Sequence, residues 1–280
     1  MRLSILGAGG GFPGPGGACA GYLVEVGNRR LLLDCGPGTV GRLLERCGIE
    51  DLDGVVLTHL HADHFLDLFS LAYALLAGCC TAASRWRQVP VHVPGGGRAQ
   101  LAEVSRALGH PAWTFPRREG PAAYERFRAA AEPDFLFALL PCHEYAPGHD
   151  LVASGVRVRT AAVEHGLPAA AIRLESAGAS LVYSGDTRPC PALAALAAGA
   201  DLLLCEATVR PGEVGFHEFH MTAADAGQLA RDAGVGRLVL THLVPWADRV
   251  EVVEEAGRCF RGPIATAREG DVLTIGGDER

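Results

Sequence analysis

Between residues 57 and 64 the chain places His59, His61, Asp63 and His64 directly behind an apolar run. Imidazole nitrogens and carboxylate oxygens are donors for divalent cations, and burying four of them unpaired is costly, so this spacing points to metal chemistry. Residues 54–57 read as a buried strand and 65–76 as an amphipathic helix, which puts the cluster on the turn between them. At a strand end alternate side chains share a face. His59 and His61 are therefore expected to reach one ion together, with Asp63 and His64 directed at a second position nearby. Four more polar residues follow apolar runs in the same way: His165 after 156–163, Asp186 after 181–184, Glu206 after 202–204 and His242 after 238–241. Side chains at the mouths of neighbouring strands converge on one sheet edge, where a rigid scaffold holds them in place.

The elements that must do this positioning read as follows. A strand over 2–6 leads into a glycine-rich loop at 7–17, then a hairpin over 21–26 and 30–34 turning at Gly27-Asn28. No helix-forming segment follows the glycine loop, so a dinucleotide fingerprint is rejected. A helix spans 39–47, and further strands are expected at 89–93, 156–163, 171–175, 180–184, 202–205, 237–240 and 272–275, with helices between several of them. Strands recur in both halves, and each half closes on a helix. This fits two sheets packed face to face with helices outside; a doubly wound parallel sheet is the alternative.

Bulk properties set outer limits. The 280 residues are 49% hydrophobic and 20% charged, with 36 glycines and 17 prolines spread throughout, as in a compact enzyme. We read them as a single domain, 1–280, with a variable Arg-rich segment around 84–128. A net charge of −7 argues against a dedicated nucleic-acid binder. All 25 basic residues are arginine, and 84–128 holds eight of them against three glutamates, which makes that segment a solvated face or an anion-attracting rim. The nine cysteines include no CxxC pair, and the amino terminus lacks a cleavable apolar segment, so buried thiols in a reducing cytoplasm are expected. No apolar stretch is long enough to cross a bilayer, and no membrane partner is expected.

Taken together, the motifs resemble the metallo-β-lactamase fold hydrolases, and within them the ribonuclease Z-like phosphodiesterase branch, over nearly the whole chain. His59, His61, Asp63 and His64 match the HxHxDH motif, His165 the next histidine, Asp186 the bridging aspartate and His242 the last ligand. The resemblance implies an α+β fold, a four-layer αββα sandwich, carrying two divalent metal ions. One would bind His59, His61, His165 and Asp186, the other Asp63, His64, Asp186 and His242. Imidazole and carboxylate without thiolate suit zinc best and also accommodate manganese or iron. Asp34 is a candidate acceptor behind a ligand imidazole, or a purely structural strand end.

Glu206 and His220 resemble the ribonuclease Z-type pair, in which the histidine sits beside the phosphate and helps the leaving group depart while the glutamate orients it. His217 is the local competitor; a helix start at 222–225 favours His220. His92, His110, His143 and His149 match nothing and read as structural or exposed. The tRNA-processing members insert a basic arm between the positions of His165 and Asp186, where this chain has only residues 166–185. That short interval is similar to the armless members that act on small phosphodiesters, including cyclic nucleotides. The implied reaction is phosphodiester hydrolysis by water held between the metals, with Asp63 steering its proton and His220, aligned by Glu206, acting as the acid. A ribonuclease gripping RNA through the Arg-rich segment, and a hydrolase of thioesters, lactones or sulfate esters, are the alternatives. Related proteins often pair, so a homodimer is expected.

Overall fold

Successive side chains in the apolar strands point to opposite faces, and both faces are buried. In β1 (Arg2–Gly7), Leu3 and Ile5 enter one core while Leu6 enters another. β2 (Gly21–Val26) and β3 (Arg29–Leu33) divide in the same way, Tyr22, Val24, Leu31 and Leu33 against Leu23 and Leu32. Continuous apolar runs with this period are what a strand covered on both sides requires.

The structure is a computed structural model that describes residues 1–79, 87–108, 135–210 and 218–276. The same strand pattern continues through β4 (Gly54–Val56), β5 (Val91–Pro94) and β6 (Cys142–Tyr145). Next come β7 (Leu151–Ala153), β8 (Val156–Ala162), β9 (Ala170–Ser176), β10 (Ala179–Tyr183), β11 (Leu202–Glu206), β12 (Leu238–Thr241), β13 (Ile264–Thr266) and β14 (Val272–Thr274). They form two seven-stranded sheets, in the orders β14-β1-β2-β3-β4-β5-β6 and β13-β12-β11-β10-β9-β8-β7. One core lies between the sheets, where Leu3, Tyr22 and Leu33 face Ile172, Leu181 and Leu204.

Helices cover the outer faces. α1 (Thr39–Leu44), α2 (Ala62–Phe65), α3 (Leu68–Cys79), α4 (Gly97–Leu108) and α5 (Phe135–Leu139) pack on the first sheet. α6 (Pro191–Ala197), α7 (Ala223–Asp232) and α8 (Arg249–Gly257) pack on the second. The expected α+β four-layer sandwich is what forms, and the doubly wound single sheet is not. The expected helix over 65–76 is interrupted at Leu66-Asp67, where the Asp67 carboxylate accepts from Ser70 Oγ at 2.6 Å and from Val40 N at 2.8 Å. β6, β7 and β13 were not anticipated; they are short, and Cys142-His143-Glu144-Tyr145 carries no apolar run. Among the described residues no helix is long and apolar enough to cross a membrane.

The topology directs chemistry to one edge. β3 and β4 run parallel, as do β10, β11 and β12. β8 and β10 are both antiparallel to β9 and so run the same way. The segments that leave these strands carry Asp34, the 59–64 cluster, His165, Asp186 and His242, and Glu206 is the last residue of β11. Three buried tyrosines in the inter-sheet core brace that edge from below. Tyr22 packs edge-on to Tyr183 at 4.8 Å and shares a 2.7 Å hydrogen bond with Thr241 Oγ1, the residue before His242. Tyr145 donates to the Leu57 carbonyl at 2.7 Å, and Tyr183 donates to Asp34 at 2.8 Å.

Candidate metal centre

The strand leading to the histidine cluster stops at Val56, so residues 57–61 form a loop rather than a strand end. The alternation expected there does not apply, and the side chains come together as follows. His59 Nε2 lies 3.2 Å from His61 Nδ1, which lies 3.0 Å from His165 Nε2. Asp186 Oδ2 is 3.7 Å from His59 Nε2. These four donors sit within 4.8 Å of one another, with His61 exposed and His165 half-buried.

The second group is deeper. His64 Nε2 and His242 Nε2 are 3.1 Å apart, and Asp63 Oδ2 is 3.1 Å from His242 Nε2 and 3.6 Å from His64 Nε2. Asp186 Oδ2 joins this group as well, 3.3 Å from each of those two nitrogens. One carboxylate therefore touches both sets. Its other oxygen, Oδ1, is buried without a hydrogen-bond partner among the described residues.

Each inner imidazole is fixed by a partner on its far nitrogen. The Thr58 hydroxyl donates to Asp34, so its oxygen accepts from His59 Nδ1 at 3.0 Å and leaves Nε2 facing the centre. His64 Nδ1 donates to Asp34 Oδ2 at 2.8 Å. His242 Nδ1 donates to Thr208 Oγ1 at 2.7 Å, and that hydroxyl donates to Glu206 Oε2 at 2.7 Å. His165 Nδ1 donates to the Phe219 carbonyl at 3.0 Å. Such contacts select the tautomer and orient the ring. Asp34, an open question in the sequence, accepts from Thr58 N, Thr58 Oγ1, Tyr183 OH and His64 while buried in a left-handed backbone conformation, φ 55°.

His220 lies across the centre from Asp34. Its Nδ1 is 3.0 and 3.2 Å from the two oxygens of Glu206 and 3.9 Å from Asp186 Oδ2, and its ring stacks on His242 at 5.7 Å. Glu206 is fully buried and also accepts from Thr187 N at 2.6 Å. His217 lies outside the described residues.

Electrostatics follow from this packing. Burial, then the neighbouring imidazoles, holds His59 and His61 below the usual histidine range; burial does the same to His165, so all three stay neutral donors. Burial disfavours ionised Asp186, but His242, His64 and His59 override it and hold that carboxyl well below its usual range. Asp63 is likewise held low by its His242 hydrogen bond against the effect of burial. His64 goes the other way, because Asp186 and Asp34 overcome burial and favour a positive charge there. A site that raises the charge of a buried imidazole is one that welcomes a cation.

Several contributors carried no sequence signal. Gly11 N donates to Asp63 Oδ2 at 2.7 Å, so the glycine loop clamps the metal edge. Gly36 is required because a Cβ there would lie 1.9 Å from the Asp63 carbonyl. Thr58, Thr208 and Tyr183 were equally silent, since none is a ligand type. The other histidines lie away from the donors: His92, half-buried, stacks on exposed His143 at 5.3 Å, His149 is exposed, and His110 lies outside the described residues. Of the Arg-rich segment, Arg87 bonds to Asp53 and the Glu50 carbonyl, and Arg98 bonds to the Cys142 carbonyl and covers Phe137. Its arginines at 85, 117, 118, 126 and 128 lie outside the described residues.

The donor set fits divalent cations: imidazoles turned inward by their partners, three of them held neutral, two ionised carboxylates, and an orphaned oxygen on the shared one. Comparison with known proteins agrees. Residues 29–243 match the beta-lactamase superfamily domain. A ribonuclease Z from Mycobacterium bovis (strain BCG / Pasteur 1173P2) is 31% identical over 258 residues, covering 88% of this chain and 86% of the relative. The probable metallo-hydrolase YhfI of Bacillus subtilis (strain 168) is 27% identical over 97% of this chain and 99% of its own length. The YhfI crystal structure superposes with a TM-score of 0.79 over 98% of each chain, at 25% identity. A diphosphatase of the PhnP family shares the fold, with a TM-score of 0.69, 19% identity and 98% coverage of both chains. The chain thus belongs to the beta-lactamase superfamily and is a metal-dependent hydrolase of the metallo-β-lactamase fold.

Proposed function

We propose that this chain is a one-domain phosphodiesterase that uses two divalent ions, zinc by preference, to hydrolyse small phosphodiesters such as 3′,5′-cyclic nucleotides. His59, His61, His165 and Asp186 hold one ion, and Asp63, His64, Asp186 and His242 hold the other. The observation that carries the reading is the Glu206–His220 pair, an oriented acid beside the shared carboxylate Asp186. When bound, the two cations offset the phosphodiester's charge and bring the pKa of water toward neutrality. Asp63 steers the proton of the attacking water. With Nδ1 held by Glu206, His220 keeps Nε2 for the leaving oxygen and gives it a proton as the P–O bond breaks. Glu206 holds that ring on its donating side, which raises its affinity for the proton against the effect of burial.

A ribonuclease reading has one specific support, the similarity to ribonuclease Z. Against it, the interval between His165 and Asp186 is filled by β9, a two-residue turn at Ala177-Gly178 and β10, with no room for an RNA-gripping arm. The Glu206–His220 pair tells against thioester, lactone or sulfate ester substrates. Cys19, Cys35, Cys47, Cys142, Cys190, Cys205 and Cys259 are free thiols, which supports a reducing cytoplasm, and a homodimer is proposed from the habit of related proteins.

The test is turnover by metal-loaded protein and by a His220→Ala variant on bis-p-nitrophenyl phosphate, cyclic AMP and a pre-tRNA. Turnover of the first two, with cyclic AMP hydrolysis falling in the variant while metal content holds, is the expected result. Cleavage of pre-tRNA alone, or of nothing, overturns it.

A further inference from the structure

Four aromatic side chains among the described residues are strongly exposed, Phe12, Tyr73, Phe219 and Trp246, and three of them stand on the loops that build the metal centre. Phe12 is 50% exposed and follows Gly11, whose N–H holds Asp63, so its Cα is about 3.8 Å from that clamp. Trp246 is 58% exposed and lies four residues past His242, within about 14 Å of chain. The Ala247 N to Val244 carbonyl bond folds that stretch into a turn and shortens the distance further. The two rings meet at 5.7 Å with an interplanar angle of 41°. The loops beneath them are sewn together: Gly10 N donates to the Leu243 carbonyl at 3.1 Å, and Leu243 N to the Ala8 carbonyl at 3.1 Å.

We infer that Phe12 and Trp246 form a stacking platform for the nucleobase of a nucleoside phosphodiester whose phosphate occupies the metal centre. This deepens the phosphodiesterase reading and rests on it. Exposed Phe and Trp cost solvation unless something flat and apolar covers them, and here they sit beside the reacting centre rather than on a remote face. The centre itself is built of imidazoles and carboxylates and, on this reading, engages the phosphate. The rim pair offers ring faces without hydrogen-bond readout, which suits recognition of a base by stacking and tolerates different bases. The loop ties prepay the ordering of the platform, so little entropy is lost when a base lands on it.

Two measurements decide it. The first compares KM for cyclic AMP with KM for ribose 3′,5′-cyclic phosphate, which lacks the base, in the metal-loaded wild type, Trp246→Ala and Trp246→Phe. Loss of one stacking face predicts that discrimination between the two compounds falls about tenfold in Trp246→Ala and recovers in Trp246→Phe, with kcat changed far less than KM. Discrimination that is unchanged in Trp246→Ala overturns the platform while leaving the phosphodiesterase reading intact. The second uses protein in which Trp86→Phe and Trp113→Phe leave Trp246 as the sole tryptophan. Adding AMP is expected to quench its fluorescence saturably, while ribose 5-phosphate does not. Equal response to both, or to neither, overturns the inference, and this readout stands even if no phosphodiester is turned over.

Discussion

The two donor groups of the centre are built to different standards. In the inner one, His64 and His242 are buried to 0% and 2% exposure, and their outward nitrogens are gripped by side chains, Asp34 and the Thr208–Glu206 relay. In the outer one, His59 is as buried and held by Thr58, but His61 is exposed, and His165 is steadied only by a backbone carbonyl. The inner group is preorganised by groups that mutation can remove, and the outer group opens to solvent, where substrate must enter. Asp186 is the hinge of the comparison, because one oxygen serves both groups.

The largest expected effect therefore comes from the shared residue. Asp186→Asn weakens both groups at once, and phosphodiesterase activity should fall by about 10⁴-fold or more, with metal analysis showing loss from both positions. His220→Ala leaves both groups standing, so metal content should hold while cyclic AMP turnover falls about 10²- to 10⁴-fold. The drop should be smaller for bis-p-nitrophenyl phosphate, whose leaving group needs little protonation. Asp34→Asn weakens an acceptor that holds His64 of the inner group directly and His59 of the outer group only through the Thr58 hydroxyl, so a loss of about 10- to 100-fold in metal affinity or activity is expected, larger at the inner group and measurable by chelator competition. Equal weakening of inner and outer groups in that variant would erase the distinction drawn between them.

The comparison also explains what the sequence disclosed. Ligand types after apolar runs, His165, Asp186, Glu206 and His242, were legible because a strand that is buried on both faces has a clear apolar signature and a sharp polar end. The two-sheet sandwich was legible for the same reason. What supports the ligands was not, because Thr58, Thr208 and Tyr183 belong to residue types that end strands or fill cores everywhere. Asp34 was ambiguous until its four donors could be seen. Gly11 was hidden in a glycine loop from which a dinucleotide fingerprint was excluded and no other role was read, and it acts through its N–H on Asp63. The short strands β6, β7 and β13 escaped because three or four residues at a sheet edge carry too little periodicity.

The smallest expected effect is on pH dependence. The Glu206 hydrogen bond and charge outweigh burial and raise the proton affinity of His220 above the ordinary histidine value. An acid must be protonated to act, so cyclic AMP hydrolysis is retained below that raised pKa and declines as pH rises through it. Glu206→Gln removes the raising charge, and the alkaline limb of the kcat profile should move to lower pH. A limb that stays in place would detach Glu206 from His220.

The most direct test of a paired, unequal centre is a zinc titration of metal-free protein followed calorimetrically, in the wild type and in His61→Ala. Two equivalents with distinct affinities are expected, and His61→Ala should lose or strongly weaken one while the other, held by Asp63, His64, Asp186 and His242, persists. A single equivalent in the wild type, or parallel loss of both in His61→Ala, would contradict it.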